Sequence, residues 1–145
     1  PSEMQRYLGK ISGPLLDRID IHIEVTPVPF EKLSDEKNGE SSIEIRKRVT
    51  AARELQTKRF EASDVVHYNA QMNTKHIRKH CKLDEESMQL LKTAMSRLGL
   101  SARAYDRILK VARTIADLEG VTSIDKTHIS EAIQYRSLDR EGWLG

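Results

Sequence analysis

The sequence predicts a mainly α protein, and three observations carry that expectation. Aromatic residues are only 5% of the 145 residues while 38% are hydrophobic, so the core has to be built from Leu, Ile, Val, Ala and Met. Apolar residues recur at helical spacing in several segments after residue 41. Ser or Asp stands just ahead of those segments, where a helix needs an acceptor for its free N–H groups.

The elements follow in order. Ser12 can cap a short helix with Pro14 in its first turn. Ile19, Ile21, Ile23 and Val25 then alternate with Asp20, His22 and Glu24, the pattern of a strand with one apolar face. A lone strand can neither pair its backbone nor hide that face, so it is expected to be an orphan of a sheet whose other members are absent. Pro27, Pro29 and Asn38-Gly39 mark a loop and a boundary between 26 and 40.

Ser41 with Glu44 reads as a capping box, and Ile45, Val49, Ala52 and Leu55 follow as the apolar stripe of a basic helix running to about Phe60. Residues 61–74 read as an extended connection, followed by a short helix over 74–80. Helices are then expected near 84–98, 101–119 and 125–137, divided by Gly99 and Gly120. Leu83 before Asp84 with Met88, and Ile124 before Asp125 with Ile129, fit hydrophobic staples. Stripes at Met88, Leu91, Met95 and Leu98, at Tyr105, Ile108, Leu109, Ala112, Ile115 and Ala116, and at Ile129, Ala132 and Ile133 predict a shared core.

Composition removes several function classes. With 24 basic and 22 acidic residues the net charge is +2, so no global field favours nucleic acid or membrane, and any basic patch must be local. The single Cys81 has no internal disulfide partner, and no apolar stretch approaches the ~20 residues of a membrane helix. A cytoplasmic setting without membrane contact is the expectation. The chain opens Pro1-Ser2-Glu3-Met4 rather than on Met, which predicts a missing upstream segment.

Two arginines stand out. Arg18 lies where a short helix meets a strand, a rigid junction from which a guanidinium could reach across a subunit interface to a transferring phosphoryl group. The alternative is a salt bridge to Asp17 or Asp20. Arg103 falls in the first turn of the strongest helix, behind the cap Ser101, where the helix dipole disfavours a cation. Such a conflict marks an anion site, such as one for nucleotide phosphate, or else a solvated surface arginine.

Other constellations are weaker. His76, His80 and Cys81 have zinc-like spacing, but Lys75, Arg78, Lys79 and Lys82 surround them without a carboxylate, so no metal site is expected. The same run and the basic helix at 46–59 could touch a phosphate backbone, with little aromatic interleaving from Phe60 and Tyr68. No GxxxxGK[ST] loop and no acidic Mg²⁺-binding strand end occur, and the five histidines have no nucleophile partner. The chain alone is expected to be catalytically inactive.

The runs Tyr7 to Asp20, Leu100 to Leu118 and Ala132 to Arg136 together resemble the magnesium chelatase-like family of AAA+ ATPases, in its ComM-like branch. The resemblance spans most of the chain. It implies residues 1–30 as the end of an AAA+ core, 31–82 as linker and helical insertion, and 83–145 as a C-terminal helical lid. It implies that Arg18 is an arginine finger acting on the neighbouring subunit's ATP and Arg103 a sensor 2 residue facing nucleotide phosphates. It further implies ATP and Mg²⁺ in a full-length ring of identical subunits, a hexamer, with none tightly bound to this piece. The function implied is DNA remodelling or helicase action in transformation and recombination, with DNA as a possible partner. The alternatives are a magnesium chelatase motor and a helical DNA- or protein-binding module.

Overall fold

The structure is a computed structural model that describes residues 12–23, 25–29 and 39–136. Glu24, residues 30–38 of the expected loop, the start of the first matched run before Ser12, and the chain beyond Arg136 lie outside the described residues. The mainly α class holds, and no strand forms among the described residues.

Helix α1 is a single turn, Gly13–Leu16, opened by the Ser12 carbonyl, which accepts the N–H groups of Leu15 at 2.9 Å and Leu16 at 3.1 Å. After a turn at Asp17 and Arg18 the chain runs on without a ladder partner among the described residues, where the expected orphan strand is an extended segment only. Ile19, Ile21, Ile23 and Val25 remain 39%, 46%, 71% and 87% exposed, while His22 between them is 5% exposed. Of the alternating polar residues, His22 is the one turned inward, while the Asp20 side chain stays 45% exposed. Among the described residues no sheet covers the apolar face, while Asp20 pairs with Arg107 and the His22 N–H reaches the Tyr135 carbonyl on the C-terminal helices.

Helix α2, Ser42–Arg59, starts where the sequence placed it, with Ser41 Oγ accepting the Glu44 N–H at 3.3 Å. The reciprocal half of the capping box does not form, because the Glu44 carboxylate pairs with Lys47 at 2.7 Å. Its apolar stripe does not enter the core either. Ile45, Val49 and Leu55 stay 41%, 46% and 40% exposed, and only Ala52 and Gln56 are buried. Periodicity marks a face, but the neighbouring helices reach only the C-terminal half of this one.

The connection expected at 61–74 contains a 3-10 turn, Asn69–Gln71, and helix α3, Thr74–His80, follows with Asn73 Oδ1 accepting the His76 N–H at 3.1 Å. Helices α4, Glu85–Arg97, α5, Ala102–Glu119, and α6, Lys126–Gln134, then occupy the three segments read from their caps. Asp84 accepts from the Ser87 N–H at 2.8 Å and Ser101 from the Ala104 N–H at 3.2 Å. Asp125 accepts from the Thr127 N–H at 2.8 Å, while His128 Nδ1 accepts the Asp125 N–H at 3.0 Å. That reciprocal box uses His where Glu or Gln is usual.

Gly120, at φ 74°, ends α5 in a Schellman motif: the Val121 N–H reaches the Ala116 carbonyl at 3.0 Å and the Gly120 N–H the Asp117 carbonyl at 3.1 Å. The two staple residues behave differently from one another. Ile124 and Ile129 are buried, whereas Met88 is 44% exposed, so the staple expected at α4 leaves Met88 in solvent. Leu83 instead forms a parallel backbone bridge with Ile124, which sets the starts of α4 and α6 side by side.

Helix α5 is the centre, packing on α2, α3, α6 and the 3-10 turn, while α4 packs on α6. Leu91, Ile108, Leu109, Ala112, Ala116, Ile124, Ile129 and Ala132 form the middle of one core. Replacing Ile108, which is fully buried, with Ala should cost about 2–5 kcal/mol by chemical denaturation, whereas Val49→Ala on the exposed half of α2 should stay within roughly 0.5 kcal/mol.

Candidate arginine site and the buried network behind it

Arg18 closes the α1 turn, its N–H donating to the Leu15 carbonyl at 2.9 Å and its Nη1 to the Pro14 carbonyl at 2.9 Å. Its side chain is exposed. The salt bridge that the flanking carboxylates suggested does not form. Asp17 instead accepts from Ser101 Oγ at 3.2 Å and lies 3.9 Å from Arg136 Nη2, and Asp20 pairs with Arg107. Both neighbouring acids face the C-terminal helices, which leaves the Arg18 guanidinium with a backbone carbonyl as its partner among the described residues.

Arg103 is exposed in the first turn of α5, which carries no acidic residue. Ser101 caps that turn and also donates to Asp17, so a two-bond relay joins the start of α5 to the residue beside Arg18. The sequence singled out both arginines separately. The structure links their elements through Asp17 and Ser101.

The basic helix is less free than its composition suggested. Lys47 pairs with Glu44, Arg48 makes two hydrogen bonds to Glu40 at 2.7 and 3.1 Å, and Arg53 stacks over the Tyr68 ring at 4.7 Å. Glu40 is held below its usual carboxylate range by its hydrogen bond to Arg48. His76 and His80 meet Phe60 edge-on, with centroids 6.1 and 5.5 Å apart, and burial, aided by nearby cations, pushes the His80 imidazole down. Among the described residues no group of three or more His, Cys, Asp or Glu side chains could hold a metal ion.

Sequence reasoning missed a buried polar network. Asp117, fully buried, receives Arg59 in a two-pronged pair, Arg113 Nε at 3.2 Å and Asn69 Nδ2 at 2.8 Å. Arg113 also donates to the carbonyls of Thr122 at 2.6 Å and Val121 at 2.7 Å, tying down the turn after α5. Asn69 donates to Thr114 Oγ1 at 3.0 Å, and its N–H reaches Gln56 Oε1 at 3.0 Å. A signal existed: Arg113 and Asp117 sit four apart on the face that carries Ala112 and Ala116 into the core. Arg136 had a similar signal, since it continues the Ile129, Ala132, Ile133 stripe of α6 and is 1% exposed.

An apolar cleft of about 330 Å³ lies between the extended segment and the helices, lined by Ile21, Ile23, Val111, Leu118 and Tyr135. Its polar neighbours are engaged, Lys110 Nζ with the Ala70 carbonyl at 3.0 Å and Tyr135 with Glu131 at 3.0 Å.

Comparison with known proteins agrees with this layout. Residues 39–136 match the family described as magnesium chelatase, subunit ChlI C-terminal, and residues 1–33 match magnesium chelatase, subunit ChlI. The chain is 44% identical over 141 residues to competence protein ComM of Haemophilus influenzae, covering 97% of this chain and 27% of that protein. It is 43% identical to the uncharacterized protein YifB of Escherichia coli and 42% identical to that of Salmonella typhimurium, with the same coverage. The chain therefore spans about a quarter of the length of these relatives.

Two outcomes test the buried chemistry. Asp117→Ala strands the buried Arg113 guanidinium and the part-buried Arg59 and should cost about 3–5 kcal/mol in a urea titration at unchanged m. Burial pushes the Cys81 thiol up to about 12, so a disulfide reagent at pH 8 should label the native chain far more slowly than the unfolded one.

Proposed function

This chain belongs to the magnesium chelatase ChlI family as a ComM-like, AAA+-related member, and from that premise we propose that it supplies the arginine finger and helical lid of a ring-forming ATPase. The observation that carries the reading is the state of Arg18. Its two flanking carboxylates are taken by Ser101 and Arg107, so the guanidinium is exposed and available to an anion from another subunit.

Nucleotide phosphate suits both arginines. Arg103 is an exposed cation at a helix N-terminus with no acid in its first turn, a position that favours an anion between the guanidinium and the free backbone N–H groups. In this reading Arg103 is sensor 2 and contacts ATP phosphates, while Arg18 stabilises charge developing on the transferred phosphoryl group of a neighbour's nucleotide. ATP with Mg²⁺ supplies the phosphoryl group, and the family's upstream part supplies the loop that cradles it. The assembly is a hexamer of identical subunits.

The substrate in this reading is DNA, remodelled by a helicase in recombination of incoming strands. Its support is the 44% identity to a protein named for competence, together with the exposed Arg46 on the open half of α2. Among the described residues no helix is long and apolar enough to cross a membrane, which suits a cytoplasmic assembly.

In the full-length protein, Arg18→Ala should leave nucleotide binding intact and lower turnover by roughly 10³-fold or more, the scale of an arginine finger. Unchanged turnover would remove Arg18 from the mechanism. Arg103→Ala should weaken nucleotide binding itself. Stimulation of ATPase by branched DNA supports the helicase, and stimulation only by a porphyrin with Mg²⁺ would replace it with chelatase chemistry.

A further inference from the structure

Resting on the finger reading of Arg18, we propose that Arg107 and Arg136 are positioning residues that latch the Arg18 segment onto the C-terminal helices, so that finger and lid move as one unit. Among the described residues the segment after α1 has no ladder to hold it, and polar contacts tie it to α5 and α6. Asp17 accepts from Ser101 at 3.2 Å, Asp20 pairs with Arg107, the Ile19 carbonyl accepts from Arg136 Nη1, and the His22 N–H donates to the Tyr135 carbonyl at 2.7 Å. These contacts flank Arg18, at Asp17 just before it and at Ile19, Asp20 and His22 after it.

The far ends of the contacts are equally telling. Ser101 is the cap of α5 and Arg107 sits four residues past Arg103 on the same helix, so two of the anchors lie within about a turn of the sensor residue. Arg136 and Tyr135 lie at the end of α6, which packs directly on α5. A displacement of α5 produced by phosphate at Arg103 therefore reaches Asp17 and Asp20 through single hydrogen-bonded steps. Neither flexible loop nor core repacking intervenes.

Stability is a poor account of the Asp20 and Arg107 pair. Their side chains are 45% and 28% exposed, and an ion pair so open to solvent adds little to folding. It does fix direction, since a guanidinium on a carboxylate sets both distance and angle. Arg136 differs in being buried, with its Nη1 on a carbonyl of the segment, and it supplies the firm end of the latch.

The test uses Asp20→Asn and Arg107→Gln in the full-length protein, with Arg18→Ala as reference. Each latch variant should lower kcat roughly 10- to 100-fold, as a misplaced catalytic group does, while the Kd for a non-hydrolysable ATP analogue changes by less than about twofold and Tm is preserved. The exchanged pair Asp20→Arg with Arg107→Asp should recover most of the lost turnover. Wild-type turnover in the single variants, with Arg18→Ala inactive, overturns the latch and spares the finger. Normal turnover in Arg18→Ala removes both. An exchanged pair no better than the singles also overturns the latch. On the chain as it stands, Arg107→Gln should speed hydrogen exchange at the His22 amide but not at the Ile108 amide, and an unchanged His22 amide overturns the docking itself.

Discussion

Asp117 has to sit where it does for the rest of the molecule to hold its shape. It lies near the end of α5, fully buried, and its two oxygens gather Arg59 from α2, Arg113 from its own helix and Asn69 from the 3-10 turn. One carboxylate between two guanidiniums leaves the cluster one positive charge in excess, and a buried charge costs several kcal/mol unless its hydrogen bonds are met. The carbonyls of Val121 and Thr122 meet those of Arg113, and the side-chain oxygen of Asn69 meets one from Arg59. Burial nevertheless pushes the Arg113 guanidinium down, as expected for a cation withdrawn from water.

That network explains how a helix with a solvent-exposed first half stays attached. Helix α2 places Ala52, Gln56 and Phe60 against the domain, and the Arg59 pair closes the contact. Hydrophobic area alone would be a small anchor here, because Ile45, Val49 and Leu55 contribute little of theirs. Directional charge-assisted bonds fix the angle at which α2 leaves the core. Helix α2 and the C-terminal helices thus share one joint, centred on α5.

A second joint, at the opposite end of α5, serves the segment that carries Arg18. It combines the half-exposed Asp20 and Arg107 pair with the buried Arg136, whose Nη1 donates to the Ile19 carbonyl.

The sequence by itself determined the helical class, the caps at Ser41, Asp84, Ser101 and Asp125 and the stop at Gly120, because those depend on a few residues acting within one turn. It also marked Arg18 and Arg103, the first by its place in a matched run and the second by its conflict with the helix dipole. Which faces are covered was decided elsewhere. The stripe of α2 and the apolar face of residues 19–25 look ready for burial, yet both stay open, since periodicity shows that a face exists and says nothing of what lies against it. The hydrogen-bond partners of Asp17, Asp20 and Asp117 lie 48 to 87 positions away in the chain or close by on a buried helix face, and only folding brings them to the same point. Long-range polar pairing has no period to read, so the tertiary structure alone shows that Arg18 is left exposed by its own neighbouring acids.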